Sequence, residues 1–120
     1  MKKLEASQVE FSVTIEAEDM PVRGNYMCTD DTEQDKADED EVIERLNRGE
    51  IEAWCRVVVI AEWEGYKGYA SIGGCVFGSA SEAAQMAIDY DLHDEALEDL
   101  NRQIEADLSR SEAIRAKLDR

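Results

Sequence analysis

Ile51-Glu52-Ala53-Trp54-Cys55-Arg56-Val57-Val58-Val59-Ile60-Ala61-Glu62-Trp63-Glu64 is the stretch on which the fold turns. Trp54, Arg56, Val58 and Ile60 share one parity, and Ala53, Cys55, Val57, Val59, Ala61 and Trp63 the other. The second set is almost wholly apolar and rich in β-branched residues, which predicts a strand over 51–64 packed on that face against helices. Trp54 and Trp63 fall on opposite parities, so one is expected in the core and the other at the surface. Glu64-Gly65-Tyr66-Lys67-Gly68 reads as a hairpin turn, and residues 68–77 as the return strand. Gly73-Gly74 within that strand predicts a bulge or a close backbone approach.

Working outward, residues 8–18 alternate cleanly. Val9, Phe11, Val13, Ile15 and Ala17 lie on one side, and Glu10, Ser12, Thr14, Glu16 and Glu18 on the other, the pattern of a half-buried strand. Pro21 and Gly24-Asn25 mark a turn after it. Residues 28–41 have almost nothing to bury, and a helix is predicted from about 36–38 to 48, with Val42, Ile43 and Leu46 as its apolar stripe and Gly49 as its stop. Ser79 with Glu82 is spaced as a capping box, opening helical sequence that runs to about 118, with a break or a continuation between Asp89 and Asp94. Leu97, Leu100, Ile104, Leu108, Ile114 and Leu118 recur at mostly three- and four-residue steps. A helix from 94 to 118 would be about 37 Å long, more than a three-stranded sheet can cover, so its end must project, fray or pair with a second copy. The expected fold is α+β: one domain over 1–120, a three-stranded, mainly antiparallel sheet covered on one face by helices, with a long C-terminal helix.

The chain carries 29 acidic and 13 basic residues, a net charge of −16, yet 43% of it is apolar, enough for a core. Such a balance excludes gripping a nucleic-acid backbone through a basic patch and points to basic partners. No apolar run approaches the ~20 residues of a membrane span, and no apolar h-region follows Met1-Lys2-Lys3, so a cytoplasmic location is expected. Cys28, Cys55 and Cys75 are too few and scattered for a disulfide framework.

Little in the sequence suggests catalysis. His93 is the single histidine, and no nucleophile stands near it in a familiar motif. A calcium loop opening at Asp89 would need Gly at 94 and Glu at 100, where the chain has Asp94 and Leu100. Zinc held by three cysteines and His93 lacks the usual short ligand spacings. Gly65, Gly68, Gly73 and Gly74 precede neither Lys-Ser nor Lys-Thr, so they form no phosphate loop. A non-enzyme with no cofactor and no metal is expected.

The acidic runs are the informative feature. Between 30 and 44, Asp30, Asp31, Glu33, Asp35, Asp38, Glu39, Asp40, Glu41 and Glu44 face only Lys36. Between 82 and 99 seven acidic residues, six of them Asp89, Asp91, Asp94, Glu95, Glu98 and Asp99, occur without any Lys or Arg. A charge run is ordinarily a solvated face. Two on one folded chain fit a negative surface that occupies a channel built for nucleic acid, and these fifteen residues are the expected partner-binding set.

Four segments in order, Pro21-Val22-Arg23-Gly24-Asn25, Trp63-Glu64-Gly65-Tyr66-Lys67-Gly68, Ile72-Gly73-Gly74-Cys75 and 95–104, resemble small acidic proteins encoded by bacteriophages and plasmids. The resemblance spans roughly residues 9–104 and brings no catalytic residues. It implies a mobile genetic element facing bacterial defence, where small acidic proteins include anti-CRISPR and anti-restriction inhibitors that imitate DNA. The resulting expectation is an inhibitor, in the host cytoplasm, of a nucleic-acid-handling defence complex, with a CRISPR effector leading. It would bind a basic protein surface and neither nucleic acid nor membrane. The alternative is a structural or assembly protein of the same element, forming a homodimer through the C-terminal helix.

Overall fold

The computed structural model describes residues 3–26 and 31–119. It is an α+β fold with a three-stranded antiparallel sheet in the order β1-β2-β3, comprising β1 Glu10–Ala17, β2 Cys55–Trp63 and β3 Tyr66–Cys75. Three helices accompany it: α1 Thr32–Asn47, α2 Ser81–Asp89 and the long α3 Leu92–Leu118. Two compact units divide the chain, one of Met1–Ser12, Val59–Ala70 and Asp91–Arg120, the other of Val13–Val58 and Ser71–Tyr90.

The apolar parity of this stretch is buried up to Ala61, but on the opposite parity Trp54 and Val58 are buried as well, so alternation marks only part of the strand. Ala53, Cys55, Val57, Val59 and Ala61 are all fully buried. The hairpin turn is tighter than expected, closing over Glu64-Gly65 alone. Both residues have positive φ (47° and 82°), the two-residue type I′ turn whose twist matches the strands. The strand itself starts later than the apolar pattern, because Ile51–Ala53 forms a 3-10 turn. The Glu52 carbonyl there accepts the Phe77 amide at 2.9 Å, beyond the end of β3.

In the unit containing α1, Val22, Val42, Ala53 and Trp54 form a core with Tyr26, Ile43, Leu46 and Val76 packed against it. Trp54 is 3% exposed. Its indole N–H donates to the Met20 carbonyl at 2.7 Å, and Tyr26 meets it edge-on. Trp54 is therefore the core member of the tryptophan pair, and Trp63 is half-buried. Arg45, near the end of α1, donates to the Phe77 carbonyl at 2.7 Å and pairs with Glu50 at 3.2 Å.

In the unit containing α3, Leu92, Ala96, Leu100 and Ile104 are buried at four-residue steps. Gly68 permits their approach to β3, since a Cβ there would overlap the Ala96 carbonyl and the backbone of Leu100. Asn101 is buried and clamps the N-terminal segment, accepting the Leu4 amide at 2.9 Å and donating to the Leu4 carbonyl at 3.2 Å. His93 is half-buried with its ring edge-on to Phe11 at 5.1 Å.

Helix boundaries correct two expectations and decide between the break and the continuation left open over 89–94. α1 opens at Thr32, not near 36, because the Asp31 carboxylate accepts the Gln34 amide at 3.0 Å as an N-cap. Ser79 does not cap α2; Ala80 is the cap residue, and the Glu82 carboxylate instead accepts the Gly78 amide at 3.2 Å. The helical sequence after 80 is broken at Tyr90–Asp91, where Asp91 takes a left-handed φ of 55°, a conformation that Asp tolerates better than most residues.

Candidate interaction surface

α1 is where the first acidic run becomes geometry. Its 16 residues rise about 24 Å, and residues at i, i+7 and i+11 share one stripe. Glu33, Asp40 and Glu44 occupy that stripe with Glu41 beside it, and all four are exposed. Glu33 and Asp35 in the first turn complement the helix dipole, while Asp40, Glu41 and Glu44 lie toward its unfavourable end. Basic side chains offset part of that repulsion. Arg23 pairs with Asp40, and Arg48 reaches Glu44 at 3.2 Å and Glu50 at 2.9 Å. Arg48 and then Arg45 hold the Glu50 carboxyl below the usual carboxylate range. Glu33 and Glu41 have no ion-pair partner among the described residues.

Not all of the run faces outward. Asp35 and Glu39 are buried, the latter at 8% exposure. The Glu39 carboxylate accepts the Gly24 amide at 2.7 Å and lies 3.6 Å from Arg23, so it anchors the turn after β1 to α1. Asp38 is half-buried and accepts from Gln34 at 2.9 Å, and Asp31 is spent on the cap. Asp30 lies outside the described residues.

The second run divides between the two units. Asp89, exposed at the end of α2, accepts from Gln85 at 2.9 Å. Asp91 is exposed ahead of α3, and its carbonyl accepts the Glu95 amide at 3.2 Å. Asp94, Glu95 and Glu98 are exposed on the first two turns of α3, the first two placed favourably for the helix dipole. Asp99 is structural. It accepts the Tyr69 amide of β3 at 2.8 Å and Gln103 at 2.9 Å. Burial pushes its carboxyl up, but the hydrogen bonds from Tyr69 and Gln103 and the nearby Arg102 outweigh that and leave it below the ordinary value.

One carboxylate outside both runs is also fixed by backbone amides. The Glu18 side chain, 4% exposed, accepts the Gly74 amide at 2.8 Å and the Met20 amide at 3.4 Å, with Arg56 at 3.8 Å. The Gly74 bond leads in drawing its carboxyl below the ordinary value, against the opposing effect of burial. The Gly73-Gly74 pair signalled this close approach, but not which residue makes it.

The thiols of Cys55 and Cys75 are buried. Desolvation first, with Cys75, Glu52 and Glu18 adding to it, pushes the Cys55 thiol up to about 11, and burial also raises Cys75. Among the described residues no three His, Cys, Asp or Glu side chains converge to hold a metal, and no helix is long and apolar enough to cross a membrane. The arrangement can present fixed negative charge and, at the far end of α3, exposed apolar side chains. Comparison with protein-family models, with curated proteins and with solved structures finds no match.

Proposed function

We propose that this chain is a phage- or plasmid-encoded inhibitor of a bacterial nucleic-acid-handling defence complex, a CRISPR effector foremost, and that it occupies the complex's basic channel with the carboxylates of α1. The charge density of that helix carries the reading. Glu33, Asp40, Glu41 and Glu44 stand exposed along one side of it over 11 helical steps, with Arg23 on Asp40 and Arg48 on Glu44. At 1.5 Å per step these carboxylates span about 17 Å, roughly the length over which one strand of duplex DNA carries five charges at ~3.4 Å. The helix is capped and tied at both ends, so its carboxylates meet a partner without further ordering. The exposed acids at the start of α3 supply a second candidate contact.

The test begins with capture of the partner from a bacterial lysate, followed by binding measurements with the purified complex. Affinity falls steeply with salt, DNA and the protein compete for one site, and Glu33→Lys with Glu41→Lys weakens binding while the fold persists. A ternary complex with DNA whose affinity ignores salt overturns the proposal.

A further inference from the structure

Every residue from Glu105 to Asp119 is exposed, although α3 continues unbroken to Leu118. Fourteen exposed helical residues, tied to the rest of their unit by the Tyr66 hydroxyl on Asp107, are about the length at which an isolated helix is marginal in water. The segment is not uniformly polar. Leu108 (44% exposed), Ile114 (48%) and Leu118 (79%) continue, past Ile104, the same face that buries Leu100 and Ile104. Its charge is also graded along the axis. Glu105 and Asp107 lie at its start, Arg115 and Lys117 near its end, and Arg110 and Glu112 flank Ser111 between them.

We propose that this surface binds a second copy of the chain, helix against antiparallel helix, with the two-fold axis at Ser111. In that register Ile104 of one copy lies level with Leu118 of the other, and Leu108 with Ile114. Glu105 comes beside Arg115 of the second copy, and Asp107, which also accepts the Tyr66 hydroxyl, comes near its Lys117. A parallel pair would instead set the acidic starts of both segments together, along with the acidic first turns of both α3 helices. For a chain of −16, antiparallel pairing also holds the two Ile104 positions about 21 Å apart along the axis. The pairing is independent of the inhibitor reading, since the α1 carboxylates take no part in it.

Sedimentation equilibrium of the intact protein tests it. The expected species is about 27 kDa, twice the 13.5 kDa chain. Leu108→Glu with Ile114→Glu, both at exposed positions, should give a folded monomer with an unchanged circular-dichroism spectrum. Glu105→Lys should raise the dimer dissociation constant by about tenfold, and adding Arg115→Glu to the same chain should restore it, because the opposed charges are then exchanged rather than lost. A wild-type monomer at 100 µM overturns the proposal. So does a dimer indifferent to Glu105→Lys, as does one that Arg115→Glu fails to rescue.

Discussion

The Glu18 carboxylate receives the Gly74 amide at 2.8 Å, joining the chain just beyond β1 to the glycine pair in β3 across 56 residues of sequence. A Cβ at position 73 would stand 2.5 Å from the same carboxylate. A methyl group at 73 would therefore push the Glu18 carboxylate away from its place on the Gly74 amide.

Acid should release that contact. The folded-state value of Glu18 is depressed below its ordinary 4.5, so the unfolded chain takes up the proton first. The stabilisation is complete above about 4.5 and is lost as pH falls through the folded-state value. Glu18→Gln should cost about 1–2 kcal/mol at pH 7 and much less at pH 3, read from urea midpoints at both pH values. An equal loss at the two would assign the effect to packing alone.

Within the acidic run of α1, position decides the effect on stability. Glu39→Ala removes the acceptor of the Gly24 amide and should cost about 1–3 kcal/mol. Glu33→Gln and Glu41→Gln, at exposed like-charged positions, should lie within about 0.5 kcal/mol of the natural chain or be slightly stabilising. Thermal melts of the three variants at one salt concentration separate them.

Gly68 is expected to be the least replaceable glycine. Gly68→Ala drives a methyl group into α3 backbone at Ala96 and Leu100, where no side chain can swing aside. A loss of at least about 3 kcal/mol is expected. A melt within 2 °C of the natural chain would show that α3 can shift away from β3.

Two of the three thiols should resist alkylation until the chain unfolds, because Cys55 and Cys75 are buried and their ionisation is pushed up. Mass spectrometry after iodoacetamide at pH 8, with and without urea, counts them. The unfolded chain loses its thiol protons first as pH rises, so Cys55 should also make stability fall between about 9 and 11.

The strand pattern, the hairpin turn and the C-terminal apolar stripe were legible in the sequence because each is a local periodicity. Val57, Val59 and Ala61 had to share a face whatever lay above them, and Glu64-Gly65 marks a turn by its backbone requirement alone. The N-terminus of α1 was missed: the three-residue spacing of Asp31 and Gln34 marks it, but the paucity of apolar residues before Val42 moved the expected start to about 36. Tertiary structure alone decided what each carboxylate does. Glu39 and Glu41 are two residues apart in one run, yet one anchors the Gly24 turn and the other faces water, because a helix rotates about 200° between them and only one side has a loop to meet. Likewise nothing in the repeat of leucines and isoleucines reveals that burial stops at Ile104; the reach of the elements beneath α3 sets that limit, and it leaves Leu108, Ile114 and Leu118 exposed.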